Sequence, residues 1–206
     1  RPLPHSASRH VQLAVCELPA AVTIAISTFH LQSDFFTERA TRVKGKQLAA
    51  IATDLRAVGA SAAACMGDSN LTGGQWLSLE NEMIAEAQLS DALSHADEHT
   101  QRSRHWKRYC ATWDGSNNPL VPYKVEHHRP DRVFVSHGCS PLYVVRATGV
   151  KKPNDDGTVT LTPFSDHYGL VGALLIDALL RADDGGEGGG AAGAAAATAT
   201  AASTAK

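Results

Sequence analysis

The spacing of apolar and polar residues changes period several times along the chain. VQLAVCEL (11–18) alternates loosely, and AVTIAISTFHL (21–31) is β-branched and mostly apolar. With a turn at LPAA between them, the two read as an antiparallel strand pair. From 36 to 58 the period becomes helical. Val43, Leu48, Ile51, Leu55 and Val58 fall on one stripe, with Arg, Lys and Asp between them and Gly45 as a weak point. SAAACMGDSN reads as a short buried strand ending at Asp68. Residues 75–95 return to a helical period, with Trp76, Leu79, Met83 and Ile84 as candidate core. DRVFVS and SPLYVVRATGV read as strands, KKPNDDG as a surface loop, and SDHYGLVGALLI as a final strand. Helices fall in the connections between strands, which predicts an α/β protein with mixed sheets and helices outside.

Composition sharpens this in three places. Residues 182–206, ADDGGEGGGAAGAAAATATAASTAK, lack any large apolar side chain. Such a segment cannot bury enough surface to offset its ordering entropy, so a disordered tail is expected after a single domain over 1–181. The net charge of −2 gives no global attraction for nucleic acid or membrane. The four cysteines show no CxxC pairing. With no signal peptide visible, reduced thiols in an intracellular protein, nuclear or cytoplasmic, are expected. Cys16 and Cys65 sit in apolar runs and read as buried small hydrophobes. No apolar run is long enough to span a bilayer. The first residue is Arg rather than Met, which suits a processed form or a fragment.

The candidate chemistry lies where apolar runs stop. His30 sits in STFHLQS, Asp68 and Asn70 in GDSN, Asp131 in RPDR, and Asp166 and His167 in SDH. Strand ends can gather on one rim of a sheet, where loops on a rigid scaffold carry function. Two histidines, several carboxylates and an amide suit metal-assisted phosphoryl transfer. A carboxylate activates water, a histidine exchanges a proton, amide donors steady charge on phosphorus, and Mg²⁺ takes carboxylates plus substrate phosphate. Each motif alone has a plainer reading. GDSN is ordinary turn chemistry, His30 a core histidine, Asp131 a surface ion pair and Trp113 a core aromatic. RSRHWKRY (102–109) is either a phosphate-backbone contact or a solvated loop.

Taken in order, STFHLQS, GDSNL, TWD, RPDRVFVS and SDHYGL resemble the endonuclease/exonuclease/phosphatase superfamily, most nearly its 5′-tyrosyl-DNA phosphodiesterase branch. The resemblance runs from about Val11 to Ile176. It implies part of a four-layer α/β/β/α sandwich with mostly antiparallel sheets, and an Mg²⁺-dependent (Mn²⁺ also possible) phosphodiester hydrolase acting on DNA ends in repair. By the same resemblance, Asp68 would activate water and lie beside the metal. Asn70 and His167 would bind the phosphate, Asp131 would hold the His167 ring, and Asp166 would sit beside the metal. His30 would bind phosphate, with Ser33 a nearby polar contact and Trp113 lining the substrate pocket.

Two departures qualify this. The chain corresponds to the C-terminal half of that domain, and no counterpart of the family's metal-holding Glu precedes Ser27. Thr72 and Gly73 stand where the tyrosyl branch carries an Arg-Asp pair. An unpaired sheet edge is therefore expected. So are two further functional readings: a non-catalytic fragment or interaction module, and a hydrolase of another phosphoester such as RNA, a phospholipid or an inositol phosphate.

Overall fold

The computed structural model describes residues 1–6, 8–33, 37–72, 74–93, 111–122, 127–163, 165–184 and 196–201. Its strands are β1 (Val11–Glu17), β2 (Thr23–His30), β3 (Ala62–Asp68), β4 (Ser90–Asp91), β5 (Trp113–Asp114), β6 (His127–His128), β7 (Asp131–His137), β8 (Cys139–Ala147), β9 (Val150–Pro153), β10 (Val159–Thr162), β11 (Gly169–Ile176) and β12 (Ala196–Ala201). The helices are α1 (Glu38–Ala57), α2 (Leu77–Glu86) and α3 (Asp177–Asp184). The larger sheet has the order β1-β2-β3-β7-β4 and the second the order β12-β11-β8. All pairs are antiparallel except β2–β3, which α1 connects as a parallel crossover.

Alternation along the strands builds two cores. Ala25, Phe29, Ala63, Cys65 and Phe134 face the helices and pack on Leu48, Ile51 and Leu55 of α1 and on Met83 and Ile84 of α2. Ile24, Ala62, Ala64 and Val135 face the other way, against Leu174, Ile176 and Cys139. Met66 and Val133 meet Leu170 beside them. Each fully buried Leu or Ile contributes roughly 1.5–3 kcal/mol. The result is the expected partial α/β/β/α sandwich: helices on one face of the larger sheet and a second sheet on the other. At Gly138 the chain leaves β7 for β8, crossing from one sheet to the next. It has φ 63°, and a Cβ there would run into the Ser61 carbonyl.

The inward stripe of α1 differs from the one its apolar spacing predicts. Leu48, Ile51 and Leu55 are buried, but so are Lys44 and Gln47, while Val43 is half-buried and Val58 is exposed at the C-cap. Lys44 and Gln47 are inward because each meets backbone groups there. Gly45 is required by close helix packing: a Cβ would collide with the Met83 side chain of α2. α2 is shorter than its period suggested, ending at Glu86 before Gln88 at φ 56°.

Three further expectations change. Cys16 is exposed, because β1 is an edge strand that neither the helices nor the second sheet cover; Cys65 is buried as expected. KKPNDDG is partly strand: Val150–Pro153 pairs with β10 around a turn at Asn154–Gly157. Within the segment expected to lack structure, α3 runs on to Asp184 and Ala196–Ala201 pairs with β11. Strand addition needs only backbone groups and an open edge, and alternating Ala and Thr obstruct neither. RSRHWKRY lies outside the described residues.

Candidate functional site

Strand register puts the site together. In the parallel pair His30 lies opposite Asp68, and in the antiparallel pair Asp68 lies opposite Asp131. Three strand ends therefore present His30, Asp68 and Asp131 as one row. They share the face of the larger sheet that turns toward the second sheet, since at even spacing Ile24 and Met66 precede His30 and Asp68, and Val133 follows Asp131. His30 Nε2 is 3.3 Å from Asp68 Oδ2. The segment entering β11 brings His167 to the far end of the row, where its Nδ1 lies 2.7 Å from Asp131 Oδ2. Trp113 is half-buried and sets its ring edge-on to His167, with centroids 4.9 Å apart. Asp166 Oδ1 accepts a hydrogen bond from the Ser165 hydroxyl.

The loop after β3 is held from several sides. Asn70 adopts φ 51°, an uncommon conformation that Asn tolerates better than most residues. Its N–H donates to Asp68 Oδ1 at 2.8 Å, and its amide donates to the Leu31 carbonyl at 3.1 Å. From α1, Lys44 Nζ donates to the Asn70 carbonyl at 2.8 Å; from β7, Arg132 donates to the Leu71 carbonyl at 3.1 Å. Ser69 donates through both N–H and hydroxyl to the Pro130 carbonyl. On the other side, the Asp131 N–H donates to Thr112 Oγ1 and the Tyr168 N–H to the Thr112 carbonyl. The buried Asn118 amide donates to the carbonyls of Ser165 and Asp166 at 2.8 and 3.1 Å.

The electrostatics separate the two histidines. Burial lowers the His30 pKa, with Arg9 and His167 adding to that and Asp68 opposing it. Burial also opposes protonation of His167, but the hydrogen bond and charge of Asp131, with Asp68 and Asp166, outweigh it and raise the pKa. Burial and the Asp131 charge raise the Asp68 pKa, partly offset by the histidines and the Asn70 N–H. One imidazole is thus biased neutral and its partner cationic, beside a carboxylate made more basic than usual. Such a set can take a proton from water and hold an anion.

No family model matches the sequence, and no curated protein matches it. Solved structures do match. D. rerio TDP2 complexed with a single-strand DNA product superposes with a TM-score of 0.50 at 20% identity, over 81% of this chain and 62% of that one. Sphingomyelinase C from Streptomyces griseocarneus gives 0.51 at 18% identity, over 78% and 56%. An endonuclease/exonuclease/phosphatase from Beutenbergia cavernae gives 0.50 at 16% identity, over 82% and 39%. The fold is that of the endonuclease/exonuclease/phosphatase proteins. The chain spans less than two thirds of the length of each of these neighbours.

The sequence resemblance implies a divalent cation, and the polar atoms of the row show how far these residues fit one. Asp68 Oδ1 is engaged by Asn70 and Asp131 Oδ2 by His167; Asp131 Oδ1 is buried without a hydrogen-bond partner. Among the described residues no group of three or more His, Cys, Asp or Glu side chains could hold a metal ion. These residues do not form a metal centre by themselves. No described helix is long and apolar enough to cross a membrane.

The structure therefore gathers His30, Asp68, Asn70, Asp131, Asp166, His167 and Trp113. Ser33 joins through Arg9, whose guanidinium donates to its hydroxyl at 3.1 Å and whose charge acts on His30. The sequence pattern does not mark Arg9, Lys44, Thr112 or Asn118. Arg9 precedes the first strand in an unpatterned segment. Asn118 had the one available signal, a polar run directly after TWD.

Proposed function

We propose that this chain carries the phosphate-cleaving wall of a phosphodiester hydrolase acting on DNA ends, of the 5′-tyrosyl-DNA phosphodiesterase kind. The observation that carries this reading is the row His30–Asp68–Asp131 closed by the 2.7 Å contact between Asp131 and His167. In it, Asp68 takes a proton from a water whose oxygen bonds to phosphorus while the bond to the leaving oxygen breaks. Protonated His167, held in orientation by Asp131, and the second amide hydrogen of Asn70 bind the non-bridging oxygens as charge builds on them. Neutral His30 donates to the same phosphate, and Trp113 lines the approach to His167. Ser33, positioned by Arg9, is the outer polar contact. The likeness to a TDP2 structure containing a DNA product supports the choice of substrate. Mg²⁺, or Mn²⁺, belongs to the proposal with Asp68 and Asp166 beside it, and it requires ligands beyond the described residues.

A second reading, hydrolysis of a phospholipid phosphodiester, is favoured by the similar likeness to sphingomyelinase C. A third, a non-catalytic module, is favoured by the lack of a metal-holding group among the described residues. One experiment separates them: turnover of a 5′-tyrosyl oligonucleotide and of sphingomyelin, with Mg²⁺ and with chelator, by the protein and its Asp68→Ala variant. The proposal expects chelator-sensitive, Asp68-dependent release of tyrosine. Preference for sphingomyelin would select the second reading, and no turnover of either the third.

A further inference from the structure

A groove runs along the exposed face of the first half of α1, lined by His5 and, from the helix, Glu38, Arg39, Arg42, Val43 and Lys46, three cations to one acid. The three helix cations sit at i, i+3 and i+7, so they share one face over roughly 10 Å of helix. Arg42 is paired with Glu38 at 2.7 Å. Arg39 and Lys46 are exposed and have no acidic partner among the described residues. Hydrogen bonds link the groove to the catalytic row. Gln47 donates to the Pro4 carbonyl at 2.9 Å and accepts the Gln32 N–H at 3.0 Å, tying the Pro4–Arg9 loop to the end of β2. That loop is closed by the Leu3 N–H on the Arg9 carbonyl and by the Arg9 N–H on Ser6 Oγ. His5 lines the groove on one side of it, and Arg9 reaches Ser33 beside the row on the other.

We infer that this groove is a binding track for the phosphates of a single nucleic-acid strand leading to the catalytic row. Cations along a concave path match an extended polyanion, and roughly 10 Å corresponds to about three nucleotides at 3.4 Å each. An anionic membrane is the poorer occupant. It would call for apolar side chains at an exposed rim, and the one apolar lining residue, Val43, is half-buried. The inference rests on the phosphodiesterase reading for the direction of the strand. The groove itself is tested without turnover.

The test is fluorescence anisotropy of a labelled single-stranded oligodeoxynucleotide from 50 to 200 mM salt. It compares the protein with its Arg39→Gln/Lys46→Gln variant, with circular dichroism confirming that both fold. Arg42 is kept so that its pair with Glu38 stays intact. Two phosphate contacts should make the slope of log affinity against log salt shallower by about 1.4, so the parent loses roughly sevenfold more affinity over this range. Equal slopes, or no binding by the parent, would overturn the track. So would an unchanged DNA slope with lost binding to phosphatidylserine vesicles, which would assign the groove to membranes. Absence of phosphodiester turnover with the slope difference present would sink the catalytic reading alone.

Discussion

Two clusters of acids and cations lie on opposite faces of the start of β7, one residue apart. Toward the helices, Arg132 bonds Asp91 at 2.8 Å and Glu80 at 3.2 Å, while Arg129 holds both Asp91 oxygens at 2.9 and 2.6 Å. Toward the second sheet, Asp131 stands beside Asp68 and between two histidines. The first cluster balances buried carboxylates with guanidinium groups in good geometry. Burial would raise the Asp91 pKa, but the charges of Arg129 and Arg132 hold it far below the usual range. The second sets two carboxylates side by side, raises the pKa of Asp68 and leaves Asp131 Oδ1 without a partner. Buried carboxylates thus make a lock on one face and, on the proposed reading, a reactive centre on the other. What differs is whether each charge is answered by a fixed cation or by an imidazole whose proton can move.

That contrast can be broken from either side. The largest expected effect is on catalysis: Asp68→Ala or His167→Ala should lower phosphodiester turnover at least a hundredfold with little loss of stability. Retained turnover in either variant would remove the site from the reaction. Next, Arg132→Met should cost about 3–5 kcal/mol in urea unfolding, since it leaves Asp91 and Glu80 short of a buried cation. A stability change within half a kcal/mol would show that the lock does not hold the fold.

Acid titration of stability should separate the clusters by sign. Asp91 has a depressed folded pKa, so its contribution is present above the unfolded value of about 3.8 and fades as pH falls toward the folded one. The penalty of Asp91→Asn should shrink on acidification; a constant penalty would refute the assignment. His167 has a raised pKa, so its contribution is full below 6.5 and is lost as pH climbs through the folded value.

The smallest effect is in the pH dependence of turnover. Activity should rise as Asp68 ionises and fall as His167 loses its proton. The charge of Asp131 raises both pKa values, so Asp131→Asn should move both limbs of the profile to lower pH. Movement of one limb alone would mean that Asp131 acts on only one of the pair.

The locking cluster was invisible in the sequence, whereas the reactive one was readable in outline. His30, Asp68, Asp131 and His167 each end or open an apolar run, and strand ends are where a sheet exposes functional groups. Register then did what order along the chain could only suggest. Arg132 and Asp91, by contrast, carry no local signature, because their meaning lies in partners from other elements. Lys44 and Gln47 escaped the helical stripe for the same reason: a periodic pattern scores them as surface, yet their polar ends meet backbone groups inside. Cys16 failed in the opposite sense. Its run is apolar, but apolarity does not say whether a strand lies at the edge or the centre of a sheet.

The row His30–Asp68–Asp131–His167 draws on four segments spread over nearly the whole folded sequence. A chain emerging from the ribosome carries Asp68 long before His167, which completes the row, has been made. Contacts of such wide sequence separation also form slowly, after the local helices. On the proposed reading, the capacity to cut a phosphodiester is therefore timed by synthesis: a nascent chain, or one arrested before His167, would remain inert however well its first half has folded.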